Sequence, residues 1–198
     1  DWLQLFLQEP LSHVAPFTAL GHRFVLPVIV WGDSYLDSLE QFTLPSLLAP
    51  GNLPYLKGSG EVRLIFFTTP AGSQRLAGMP ILQKVRPFAS VDIVTFPEAL
   101  SVRPEIYKLM STLHLASMAI AKASHSDFLF LAPDVVFAST FLHTLDQRRQ
   151  QGAEVVFVPG LILQKEGFEE ELSQLHPELD QVLSISPRDL VALGLRHV

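Results

Sequence analysis

The sequence predicts an α/β protein: a three-layer α/β/α domain around a mainly parallel central sheet. Three observations carry that prediction. Apolar runs of strand length alternate with helical patterns, as in sheets whose strands are joined by crossover helices. The runs are continuous in apolar character, which belongs to strands covered on both faces, whereas a half-exposed sheet would alternate. Composition fits a compact soluble chain, with 198 residues, 48% hydrophobic, 17% charged, 15 prolines and 11 glycines. That length suits one domain, over residues 24–198, preceded by an N-terminal arm over residues 1–23.

In the arm, Leu3, Phe6 and Leu7 share one face of a short helix stopped by Pro10. We expect it to dock on the domain, with contact to a partner or a second copy (a homo-oligomer) as the alternative. Phe24 to Trp31 forms the first strand. Gly32 and Asp33 break it, and Asp33 or Ser34 caps a helix through Tyr35, Leu36, Leu39, Phe42 and Leu47. A turn follows over Ala49 to Pro54, and Gly58-Ser59-Gly60 reads as another. Val62 to Thr68 is the second strand, ended by Thr69-Pro70-Ala71-Gly72, and Val91 to Phe96 is the third. The segment between them, around Gln74 to Val85, is weakly helical or irregular. From Pro104 to Ser124 a long helix places Ile106, Leu109, Met110, Leu113, Ala116 and Ile120 on its apolar face. Asp127 to Ala132 is the fourth strand, Thr140 to Gln151 a helix stopped by Gly152, and Val155 to Pro159 the fifth strand. Two helices, Glu166 to Leu175 and Pro187 to Arg196, complete the chain.

Charge and motif content exclude several functions. Twenty acidic and fourteen basic residues give a net charge of −6 without a Lys/Arg cluster, so duplex nucleic acid is not the partner. There is no cysteine, which removes disulfides, thiolate metal sites and cysteine nucleophiles. No run of eighteen apolar residues crosses a membrane, and the N-terminal stretch lacks the basic opening of a secretory signal. The chain opens on Asp1 instead of Met and reads as a trimmed piece; the expected location is cytoplasmic. G-x-G-x-x-G, G-x-x-x-x-G-K-[ST], G-x-S-x-G and H-E-x-x-H are all missing.

What remains is the row of groups at the strands' carboxyl ends, where an open α/β sheet presents its ligand. These are Trp31, Gly32 and Asp33 after the first strand, Thr68 and Thr69 after the second, Glu98 after the third, and Asp134 after the fourth. Asp33 and Asp134 are expected to face one cleft. Lys108 and His114, with Tyr107 and Ser111, form a partly polar side of the long helix that would serve a ligand below that edge. His125, His143, His176 and His197 read as surface or loop groups, and Glu169-Glu170-Glu171 as a solvated helix face.

The run ending at Trp31-Gly32-Asp33, the helix Ile106 to Ser124 and the segment Asp127 to Phe137 together resemble the nucleotide-sugar-binding half of GT-A glycosyltransferases, a Rossmann-like fold. Leu44 to Asn52 with the Pro133-Asp134 pair is similar to an uncharacterised bacterial group of GT-A-like proteins. The resemblance covers about residues 24 to 160. It implies a glycosyltransferase-like domain that binds a nucleotide sugar at Trp31, Gly32, Asp33, Thr68, Thr69, Lys108, His114 and Asp134 and transfers the sugar to an acceptor. The alternative is a non-catalytic scaffold or protein-interaction module with a degenerate site. In that family a D-x-D after the fourth strand holds a divalent cation, Mn²⁺ or Mg²⁺. Here Ala132 stands at its first position and Asp134 at its last, so the implied metal ligand is Asp134 alone.

Overall fold

The computed structural model describes residues 22–56, 61–101, 105–176 and 181–198. The expected arm, the Gly58-Ser59-Gly60 turn and the helix start at Pro104 therefore fall wholly or largely outside the described residues. The centre is a four-stranded, all-parallel sheet: β1 (His22–Ile29), β2 (Glu61–Thr68), β3 (Ala89–Thr95) and the short β4 (Asp127–Phe128), in the order β3-β2-β1-β4.

Both faces of this sheet are covered, and the strand sequences show why. On β1, Phe24, Leu26, Val28 and Val30 enter one core cluster, while Val25 and Ile29 enter the other. On β2, Val62, Leu64 and Phe66 follow the first set, and Ile65 and Phe67 the second. Successive side chains of a strand point to opposite faces, so a continuous apolar run supplies two cores at once.

The first face carries most of the helices: α1 (Asp33–Ser38), α2 (Leu44–Leu47), α3 (Leu53–Leu56), α4 (Pro70–Gly78), α5 (Pro80–Val85) and α7 (Phe141–Gln150). Leu36, Leu47, Leu53, Leu76, Ile81 and Leu142 bring them into its core. The second face is packed by α6 (Glu105–Ala123) through Leu109, Leu113, Ile120 and Ala121. A smaller cluster holds α8 (Lys165–Leu175) and α9 (Pro187–Gly194) together through Phe168, Leu172, Leu183 and Leu193, with Phe42 as the bridge to the rest.

Several expectations change. The helix after β1 is interrupted by one π turn over Leu39–Thr43 between α1 and α2. Such a widened turn places Thr43 so that its hydroxyl donates to Pro133 O at 2.8 Å. The segment read as weakly helical is two helices, each opened by a proline, Pro70 and Pro80, in its first turn. The fourth strand has a ladder of two residues, followed by a single bridge from Leu131 to Val28. Val155 to Pro159 is not a strand: residues 151–162 are exposed throughout, without regular structure from Ala153 to Gln164. β-prone composition is fulfilled only where a partner edge is in register, and this segment pairs with none among the described residues.

Two buried polar centres fix the first face. Asn52 donates to Ser46 O at 2.8 Å and to Ala138 O at 3.0 Å, and its Oδ1 accepts from Leu142 N at 2.9 Å. It thus caps α7 from outside, where Thr140 makes no side-chain cap. Asp146 on α7, fully buried, pairs with Arg23 at 2.5 Å and accepts from Gln150 at 2.8 Å and Tyr55 at 3.2 Å. Burial, reinforced by that carboxylate, raises the Tyr55 phenol above its ordinary pKa.

Candidate functional site at the carboxyl edge

The edge is built by the ends of β1 and β2, which stay in register up to Ile29 and Phe67, after which Val30 N still donates to Phe67 O at 2.9 Å. The chain then turns sharply at Gly32, whose φ of 79° lies where L-residues with a side chain are strained. Gly32, not Asp33 or Ser34, takes the N-cap position of α1. Asp33 is the first helical residue, and no side chain caps the helix.

Asp33 projects its carboxylate into solvent, 93% exposed, and meets Arg75 of α4 at 3.3 Å. Arg75 also engages Asp37 and lies 3.7 Å from Glu40. These carboxylates, Asp37 first, raise the guanidinium pKa above its ordinary value against the opposing effect of burial. Beside Asp33, Ser34 accepts from Lys165 Nζ at 2.6 Å, and the same ammonium lies 5.7 Å from the Tyr35 ring centroid. Trp31 packs edge to face on Phe96, which follows β3, with 5.8 Å between centroids.

At the end of β2, Thr69 caps α4 by accepting from Gly72 N at 3.2 Å. Thr68 is fully buried, and its Oγ1 has no hydrogen-bond partner among the described residues. Gly72 lies against it so closely that a Cβ there would stand 2.0 Å from Thr68 Oγ1.

The structure thus gathers Trp31, Gly32, Asp33, Thr68 and Thr69 on neighbouring strand ends. Asp134 is an exposed residue of the Pro133-Asp134 turn, which is anchored through Pro133 to Thr43. Thr43 is ten residues beyond Asp33 on a helical run, about 15 Å along its axis at 1.5 Å per residue. The Pro133-Asp134 turn is therefore anchored to that run ten residues beyond Asp33. Lys108 is exposed near the start of α6. His114 sits six residues further on, about 9 Å along the helix. It stacks edge to face on Phe130 at 4.9 Å, and burial lowers its imidazole pKa.

Sequence reasoning did not find Arg75 or Lys165 and read Ser34 only as a helix cap; the pairs they form, Arg75 with Asp33 and Lys165 with Ser34, span 42 and 131 residues of chain. Nor is the acidic run on α8 simply solvated. Glu169 accepts from Ser38 Oγ at 2.7 Å, and Glu171 binds Arg196 and His197. His176, expected at the surface, is buried, and His143 stacks on Tyr55 at 4.6 Å.

Among the described residues no three His, Asp or Glu side chains converge as metal ligands. Asp134 alone does not fit Mn²⁺ or Mg²⁺, which take several oxygen ligands. No helix of the described residues is long and apolar enough to cross a membrane. No family model, no curated protein and no solved structure matches the chain.

Proposed function

We propose that the chain is a glycosyltransferase-like domain that binds a nucleotide sugar at the carboxyl edge of its sheet and presents the sugar to an acceptor. One observation carries this reading. The strand order β3-β2-β1-β4 reverses its direction of growth between β1 and β4, and ligands of open parallel sheets bind at such switch points, beyond the carboxyl ends. The groups gathered there have suitable chemistry. Trp31 offers an aromatic edge to a base, Asp33 accepts from ribose hydroxyls, and Lys165 supplies positive charge to a diphosphate. Because Asp134 does not make a cation site by itself, no part of this reading runs through a metal.

Calorimetric titration with UDP-, GDP-, CMP- and dTDP-sugars, each with and without Mn²⁺, tests it. We expect saturable binding of one nucleotide class, unchanged by Mn²⁺ and weakened at least tenfold in both Asp33→Asn and Lys165→Ala. Absence of binding by all four overturns the proposal. It would favour the second reading, a non-catalytic scaffold or protein-interaction module. That reading is supported by Val155, Phe157 and Ile162, which are 85%, 86% and 94% exposed.

A further inference from the structure

Those exposed residues belong to one segment, Val155 to Ile162, between α7 and α8. Exposure alternates along its start: Val155 and Phe157 are 85% and 86% exposed, Val156 and Val158 only 39% and 54%. Val156 and Val158 therefore lean toward the molecule while Val155 and Phe157 face away from it, with the two-residue period of extended chain. At the far end Leu161 lies against Gly194, and Gln164 N donates to His197 O at 2.7 Å. These contacts set the segment beside the exposed Leu195 and Val198.

An extended segment that meets water on its outer side alternates apolar with polar residues. Here the outward positions are as apolar as the inward ones, and no charged residue occurs from Val155 to Leu163. The same physics that gives β1 and β2 two cores requires a cover for this outer row. A lipid surface is a poor cover. Among the described residues no backbone amide or carbonyl from Val155 to Leu163 is hydrogen-bonded, and hydrocarbon would strip these groups of their water. A second copy of the chain leaves them wet at the rim of the contact. It also sets an uncharged row on an uncharged row, so the net charge of −6 lies elsewhere. The nearest charged residues on either side, Glu154 and Lys165, have opposite signs, and antiparallel placement about a two-fold axis brings each glutamate toward the other copy's lysine. A standard interface buries about 800 Å² on each partner, and the apolar residues of the segment with Leu195 and Val198 expose an area of that order.

We propose that two copies of this chain pack the outward rows of this segment face to face, antiparallel about a two-fold axis, with Phe157 and Ile162 as the apolar anchors. The axis passes near Gly160, midway in the chain between Glu154 and Lys165. A Cβ at Gly160 would meet nothing within 4 Å, so this position looks onto open space. An isologous contact of this kind closes at two copies and leaves no apolar row for a third. The dimer is independent of nucleotide binding, since neither Phe157 nor Ile162 belongs to the carboxyl-edge site.

Sedimentation of the whole chain over a roughly hundredfold range of concentration tests the proposal, since a dimer's population follows mass action. We expect a reversible shift from one copy to two, with no larger species. Phe157→Glu should weaken association at least tenfold, as loss of an aromatic anchor does. Tyr107→Glu, the same charge on the exposed side of α6, should change it less than twofold. Both side chains are exposed, so each variant should keep the circular dichroism of the parent chain. Because the chain contains no cysteine, a single introduced thiol can be joined only to that of another copy. Gly160→Cys should be cross-linked into a dimer by a short bis-maleimide, and Ser111→Cys, exposed on α6, should not. A single copy at every concentration overturns the proposal; if that single copy also floats with uncharged phosphatidylcholine vesicles, the segment belongs to a lipid surface instead. A dimer that survives Phe157→Glu, or that Tyr107→Glu breaks equally, overturns it as well and assigns association to another face or to net charge.

Discussion

A methyl group at position 72 would stand 2.0 Å from the Thr68 hydroxyl oxygen and 3.3 Å from its Cβ, so α4 approaches β2 as closely as glycine allows. Gly72→Ala should therefore lower stability by about 1–3 kcal/mol in urea denaturation, the usual cost of overpacking. Thr68→Ala removes the oxygen that collides, and that oxygen has no hydrogen bond to lose. The double variant should recover most of the Gly72→Ala loss. Strict additivity of the two changes would refute the contact as the cause. The threonines were legible in the sequence as strand-end groups. Their division of labour was not, because only the packed helix decides that Thr69 caps and Thr68 is sealed beneath it. Asp33 was legible for the same reason as a residue of the carboxyl edge. Its partner Arg75 was not, since no pattern in one chain signals an ion pair between helices on either side of β2.

At the scale of elements, the continuous apolar runs were sufficient to place β1 and β2, because their two-sided burial is a property of the sequence itself, while β3, an edge strand with Asp92 in its middle, was placed by its β-branched residues. The failures have different physical origins. Pro70 read as the end of the second strand and Pro80 lay within a segment read as weakly helical or irregular, but each starts a helix of its own, with its fixed φ in the first turn. Val155 to Pro159 has the composition of a strand, but pairing depends on an available edge, which composition does not encode. The most consequential element boundary is the start of α7. Its Leu142 amide is capped by Asn52, a residue 90 positions away. Asn52→Ala leaves the buried Leu142 amide without its partner, while Ser46 O and Ala138 O each keep a backbone donor, Ala49 N and Phe141 N. We expect a loss of about 1–3 kcal/mol by thermal or urea unfolding, the cost of one buried group left unsatisfied. A change below 0.5 kcal/mol, on the scale of the about 1 kcal/mol typical of a single net hydrogen bond, would refute the capping role.

Across the whole molecule, the small cluster of α8 and α9 is held to the larger cores by few apolar residues and by polar links. Within the cluster itself, one polar link is sensitive to acid. Arg196 first, then His197, lowers the Glu171 pKa below its ordinary value by hydrogen bonding. A carboxylate depressed in the folded state adds stability that is complete above its unfolded pKa and is lost as pH falls through the folded one. Acid should therefore loosen the contact between α8 and the segment after α9 before the sheet unfolds. Exchange of amides in residues 165–175 should rise as pH falls below about 4.3, after correction for the intrinsic rate, while β2 stays protected. In Glu171→Gln that rise should be absent, and an identical acid response in this variant would refute the assignment. The polar links of Asn52 have a further consequence, in time rather than in energy. They join residues 86 and 90 positions apart and cannot form until β1 and β4 have been brought together. Loop closure over such a distance precedes the reward, so this hub belongs to the late stages of folding. In stopped-flow experiments Asn52→Ala should speed unfolding and leave the refolding rate nearly unchanged, so that the side chain acts as a latch on an already assembled sheet.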